Sequence, residues 1–193
     1  NNFALAAGVF VHNCGMIASR LRITATHLPD SLTRYLLAIE ENVPAGMGNG
    51  HREESWSASK FFNENPMPET LGGEAGRNAR LQLGSLGSGN HFFELCLDED
   101  DRVWVVLHSG SRGIGNKLAQ HHIKIARNKA VEDGLNLEDR DLDYFLQGTL
   151  EFEHYVTDLL WSQRYARANR DIMMVAALRE LKKQVPFTEV ERI

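Results

Sequence analysis

Residues 81–115, LQLGSLGSGNHFFELCLDEDDRVWVVLHSGSRGIG, decide how this chain folds. Two glycine-serine loops bracket two short apolar runs, and each loop adjoins a histidine. The first run spans 90–97 and the second 102–108, with the acidic stretch Asp98–Asp101 between them. The second run is rich in Val and Leu and carries Trp104, which suits a buried strand. Two such runs joined by a few turn-forming residues predict an antiparallel hairpin. Pairing Leu97 with Arg102 across a four-residue loop sets His91 opposite His108. Directly opposed side chains stand roughly 4.5–5.5 Å apart at Cβ, close enough for two imidazoles to share a metal. A five-residue loop would move the partner of His91 to Ser109. Strand alternation then puts Asn90, Phe92 and Glu94 on one face and His91, Phe93 and Leu95 on the other.

Beyond the second run, the turn Ser109-Gly110-Ser111-Arg112-Gly113 leads into a helix expected from Ile114 or Gly115. A glycine-rich turn at a helix start presents free N–H groups and suits an anion, the more so with an arginine in it. Such turns also serve as plain connectors. The helix is expected over 116–130, followed by a polar connection over 132–143 and a second long helix over about 144–181. Phe152, Tyr155, Val156, Leu159, Leu160 and Gln163 form its core-facing stripe. His121, His122 and His154 read as exposed helix residues. Pro186 ends the pattern, and the tail looks frayed.

Upstream, residues 15–25 alternate loosely and predict one or two strands with Arg20 and Arg22 on a polar side. A helix is expected over 27–41, capped near Asp30 or Ser31. Residues 44–51, PAGMGNGH, read as a flexible glycine loop, solvated although His51 and Arg52 could meet RNA. Residues 52–70 read as charged loop, and 69–80 as a short helix. The whole predicts a mixed α/β (α+β) fold in which an antiparallel hairpin and sheet are flanked by long helices.

Composition sets the outer bounds. The chain has 193 residues, 42% hydrophobic and 24% charged, with net charge −5. That is enough length for one domain with a real core. The acidic balance argues against bulk electrostatic attraction to nucleic acid, so an RNA site would have to be a local basic patch. Cys14 and Cys96 are too few for a disulfide framework and fit a reducing cytoplasm. No apolar stretch reaches the length that spans a membrane.

The stretches GSLGSGNHFFEL and HSGSRGIG together resemble the RtcB family of RNA-splicing ligases. Residues 14–18, CGMIA, resemble the family's cysteine segment, and WSQRYA at 161–166 with Asn169-Arg170 resembles its long helix. The resemblance implies joining of RNA 3′-phosphate or 2′,3′-cyclic phosphate ends to 5′-hydroxyl ends with GTP and Mn²⁺, and an archease-type activator as a partner. It implies Cys14, His91 and His108 as metal ligands, Asn90, Phe92 and Glu94 as guanylate contacts, and Ser109, Ser111 and Arg112 as contacts to phosphate or RNA. A cysteinate with two imidazoles would equally suit Zn²⁺ or Fe²⁺, so Mn²⁺ comes from the family and not from the donors. The family's remaining metal histidine, its guanylylated histidine and its late lysine have no counterpart here. The chain is therefore expected to be an incomplete, inactive ligase portion over 14–193. A non-catalytic metal- or nucleotide-binding module is the alternative, and a metal-dependent phosphodiesterase a weaker one.

Residues 1–13, NNFALAAGVFVHN, resemble the C-terminal end of an intein. An intein's last Asn cyclises to cut the chain with help from the preceding His, and the next residue must be a nucleophile. His12, Asn13 and Cys14 would fill those roles. The ligase family usually has Asp three residues before its cysteine, where this chain has Val11. The bare alternative is an edge strand over 9–11 followed by a turn.

Overall fold

The computed structural model describes residues 4–6, 14–134 and 143–193. Strand β1, Ala4–Ala6, pairs antiparallel with β5, Tyr144–Leu146. The larger sheet holds β2 (Gly15–Thr24), β3 (Phe92–Leu97), β4 (Arg102–Ser109) and β6 (Glu189–Arg192) in the order β3-β4-β2-β6. Its three pairings are all antiparallel. The helices are α1 (Thr33–Asn42), α2 (Trp56–Glu64), α3 (Glu74–Gln82), α4 (Arg112–Glu132) and α5 (Leu150–Lys182). The mixed fold with an antiparallel hairpin is as expected.

The register of the hairpin is not. Phe92, not His91, faces His108, and Leu97 faces Val103. Asp98 causes the one-residue shift. Its Oδ1 accepts from the backbone N–H of Asp100 at 3.0 Å and Arg102 at 2.9 Å, and its Oδ2 accepts from Trp104 Nε1 at 2.9 Å. These bonds draw Arg102 opposite Asp98, and Asp101 takes up the extra length at φ 57°. A tight turn closed by one left-handed residue is a standard hairpin loop, and Asp tolerates that conformation better than most residues. The bonds from Trp104 and the two N–H groups also hold the Asp98 carboxyl below its ordinary pKa.

Alternation along β2 is regular: Ile17, Ser19, Leu21 and Ile23 are buried, while Met16 and Arg22 are exposed. On β4, Val103, Val105 and Leu107 point to the same inner side. There they meet Tyr35, Ile39 and the second half of α5 through Met173, Met174, Ala177 and Leu181. The first half of α5 serves a second cluster, where Tyr155, Trp161 and Tyr165 pack with Phe61, Phe62, Leu71, Leu83 and Leu118. One 33-residue helix thus carries both clusters, with Asn169 between them.

Several local expectations need correction. Residues 56–64 are helical, not loop: the Ser55 hydroxyl accepts from Ala58 N–H and caps α2, whose Phe61 and Phe62 are buried. Helix α4 starts at Arg112 and not at Ile114. Residues 144–146 form a strand, and Thr149 caps α5 by accepting from Phe152 N–H. The tail is paired, since β6 lies along β2 and Arg20 meets Glu191 at 3.2 Å. His122 is 2% exposed, with Nε2 at 2.8 Å from Asp158 Oδ2. A histidine whose Nε2 is bonded to a buried carboxylate can sit in the core, which helix periodicity cannot show. His121 and His154 are exposed, as expected.

Candidate functional site

Both glycine-serine loops and the 44–49 loop come together at the N-terminal end of α4. The pocket they form is about 280 Å³ and is lined in part by Cys14, Gln82, His91, Ser111, Arg112 and Gly113. Cys14 lies just before β2, and Gly15 pairs with Ser109 at the end of β4, so the cysteine is carried to this end of the sheet by strand pairing. His91 precedes β3 rather than belonging to it. Its Nδ1 lies 2.8 Å from the Leu86 carbonyl, which can only accept, so Nδ1 carries the proton. That leaves the Nε2 lone pair directed to Cys14 Sγ at 3.4 Å. Burial pulls the His91 pKa down, with smaller contributions from the charges of Arg112 and His108 against the Leu86 bond. The ring therefore stays neutral and able to ligate at pH values where an ordinary histidine begins to protonate.

His108 reaches the same neighbourhood from β4. Its ring lies 5.9 Å from that of His91, centroid to centroid. Its Nε2 is buried and has no hydrogen-bond partner among the described residues. A buried polar atom without a partner is costly and calls for an ion or water. A thiolate with two neutral imidazoles is a good donor set for a transition metal. Among the described residues no three His, Cys, Asp or Glu side chains already converge as a metal cage. Cys14 and His91 are preset as a pair, and His108 stands beside them.

The expected separation of two chemistries onto two faces fails at His108. The one-residue shift puts it on the Phe92 side, and the two rings stack at 5.8 Å with 13° between their planes. Asn90, Phe92 and Glu94 are all exposed at that side. Metal-type and guanylate-type residues are thus neighbours.

Arg112 crosses beneath the loops. Its Nε donates to Ser85 Oγ at 3.0 Å, and its Nη2 donates to the carbonyls of Gly46 and Asn49, each at 3.3 Å. Burial lowers its pKa. It has no carboxylate partner among the described residues. Arg170 likewise donates Nη1 to Ser109 O at 3.1 Å, and its guanidinium lies against Gly15. Arg112, with no carboxylate beside it among the described residues, leaves a positive field that favours an anion. Ser111 and Gly113 line the pocket, while Ser109 is fully buried and donates to Leu86 O at 2.7 Å.

The 44–49 loop, expected to be flexible and similar to a segment near the family's active site, forms a wall of the pocket through Met47 and Gly48. It is stitched down by Gly46 N–H to Gly87 O at 2.8 Å and Gln82 Nε2 to Gly48 O at 3.1 Å. His51 is also tied, its Nε2 3.1 Å from Gly84 O, and reads less as a solvated loop residue. The cluster of glycines at 46, 48 and 50 was the available signal. His12 and Asn13 lie outside the described residues.

The family model described as tRNA-splicing ligase RtcB matches residues 3–192. The chain belongs to the RtcB family. RNA-splicing ligase RtcB of Escherichia coli K12 is 39% identical over 195 residues, covering 93% of this chain and 48% of that protein. RNA-splicing ligase RtcB1 of another E. coli strain is 40% identical over 182 residues, covering 88% of this chain and 44% of its own length. The tRNA-splicing ligase RtcB of Methanopyrus kandleri is 28% identical over 233 residues, covering 90% of this chain and 23% of its own length. This RtcB chain thus spans about half the length of the E. coli relatives. The RtcB match begins at residue 3 and so also takes in most of the segment that resembles an intein end. Among the described residues no helix is long and apolar enough to cross a membrane.

Proposed function

We propose that this chain supplies the metal- and phosphate-holding part of an RNA ligase. The reaction would join RNA 3′-phosphate or 2′,3′-cyclic phosphate ends to 5′-hydroxyl ends with GTP and Mn²⁺, in tRNA splicing and RNA repair. One observation supports this above the rest: a Cys14–His91 pair beside His108 Nε2, which has no hydrogen-bond partner among the described residues, at a pocket whose Arg112 has no carboxylate among them. Cys14, His91 and His108 would hold the metal, which when bound polarises a phosphoryl oxygen and offsets its charge. Arg112 and the N–H groups at the start of α4 would hold the phosphate. Phe92, stacked on His108, would offer its open ring face to guanine, with Asn90 and Glu94 beside it.

The test compares wild type with Cys14→Ala and Arg112→Lys. Mn²⁺ affinity should fall at least about tenfold in Cys14→Ala. Binding of a short RNA bearing a 3′-phosphate should fall by a similar factor in Arg112→Lys, because lysine lacks the planar fork that bridges Ser85, Gly46 and Asn49. Wild-type Mn²⁺ affinity in Cys14→Ala would remove the thiolate from the site.

Residues 1–13 are, on the same footing, an intein end whose His12 and Asn13 retain the groups for Asn cyclisation. Thirteen residues are too few to hold His12 and Asn13 in the alignment that cyclisation needs, so in the 193-residue chain the bond before Cys14 should stay intact. Mass spectrometry of the purified chain checks this. Loss of residues 1–13 that Asn13→Ala abolishes would show that the segment cuts by itself.

A further inference from the structure

We infer that Asn169 is a positioning residue that sets His91 and Arg112 together from behind the pocket. The inference rests on the metal-and-phosphate reading of that pocket. Asn169 lies on α5, is fully buried, and hydrogen-bonds to neither residue. Its Oδ1 accepts from Gly84 N–H at 2.7 Å and Ser85 N–H at 3.1 Å. Its Nδ2 donates to Ser85 O at 3.0 Å, Gly110 O at 3.2 Å and Ser109 Oγ at 3.3 Å. One amide therefore grips both glycine-serine loops. The site needs an acceptor on one side and donors on the other, which an amide supplies and a carboxylate or an apolar side chain does not.

Two chains of bonds lead forward from this grip. In the first, the Asn169 hydrogen occupies a lone pair of Ser109 Oγ, so the hydroxyl proton turns to the Leu86 carbonyl at 2.7 Å. The same carbonyl accepts from His91 Nδ1 at 2.8 Å. Fixing that oxygen fixes the His91 tautomer and leaves Nε2 facing Cys14. In the second, Asn169 holds Ser85 by both its N–H and its C=O. The Ser85 hydroxyl donates to Gln82 O at 2.5 Å and so offers its lone pair to Arg112 Nε at 3.0 Å. Partners behind a metal ligand choose its tautomer and orientation, and losing one typically costs about 10–100-fold in metal affinity.

Asn169→Asp keeps the shape and the acceptor for two N–H groups but removes all three donated bonds. Ser109→Ala cuts only the middle link of the first chain and keeps the inference testable if the Asp variant does not fold. The first readout is the ¹⁵N spectrum of the His91 ring in metal-free protein near pH 8, where an unperturbed imidazole is neutral. Wild type should show Nδ1–H alone, and both variants a mixture of tautomers. The second is Co²⁺ affinity, expected to fall about 10–100-fold in both variants. A purely structural role would lower the melting temperature and move neither readout in the folded protein. An unchanged tautomer in both variants overturns the inference, even where wild type binds Co²⁺. Failure of wild type to bind Co²⁺ while the tautomer still shifts overturns the metal reading and upholds the role of Asn169 behind His91.

Discussion

Replacing Gly87 with alanine is expected to disable the pocket while leaving the fold standing. Gly87 has φ +98°, and a Cβ there would lie 1.8 Å from Arg112 Nη1 and 2.5 Å from His91 Nδ1. Both neighbours would have to leave their places. The backbone cannot retreat freely, because Gly87 O accepts from Gly46 N–H at 2.8 Å and Leu86 N–H donates to Pro44 O at 2.9 Å. Displacing a catalytic or ligating group by about 1 Å can cost on the order of 100-fold. If the pocket holds metal and phosphate as proposed, Mn²⁺ and phosphate-ended RNA should each bind about 100-fold more weakly to Gly87→Ala. Gly89→Ala is the control. It too has positive φ, at +76°, but nothing lies within 4 Å of its Cβ position. It should show only the backbone cost, roughly 1–2 kcal/mol. Equal binding by the two variants would mean that crowding at Gly87 does not govern the site.

The largest expected loss of stability is at Tyr165. Its ring stacks on Trp161 at 5.5 Å, meets Phe61 edge-on at 5.8 Å, and is fully buried. Its hydroxyl donates to Ala79 O at 2.8 Å, and burial drives its pKa far up, so it remains a neutral donor. Tyr165→Ala removes the ring that joins α2, α3 and α5, and should cost about 3–5 kcal/mol. Tyr165→Phe keeps the ring but leaves the Ala79 carbonyl unpaired, for about 1–3 kcal/mol. Urea unfolding of the three proteins checks the order. Equal loss in the two variants would assign the whole effect to the hydrogen bond.

The hairpin and the long helices could be approached from sequence because they rest on patterns in apolar residues and glycines, whereas Cys14 was grouped with His91 and His108 only through the resemblance to the family. The register could not. It depends on one carboxylate, Asp98, choosing Arg102 N–H as a partner, and three other acidic residues in the same loop look alike in sequence. The expected distance between the two histidines thus came from an incorrect pairing, and their observed approach has another cause: the Leu86 bond that draws His91 inward. His122 was misplaced for a similar reason. Its burial follows from Asp158, 36 positions away, and periodicity reports only the face of its own helix. The β6 strand was missed because four exposed residues with three charges carry no strand pattern, and their pairing is set by β2.

Helix α5 is about 50 Å long at the usual rise per residue. Its first half is fixed in one apolar cluster and its second half under the sheet, and the amide behind the pocket comes from the turn between them. A straight beam clamped at both ends does not hinge at its middle. The two clusters consequently move as one frame, and any adjustment to a ligand falls to the three loops in front of it. The first two of those loops are tied to each other by the Gly46–Gly87 and Leu86–Pro44 backbone bonds, and the third is joined to them through the Ser109 hydroxyl on Leu86 O, so the pocket is braced before any ligand enters.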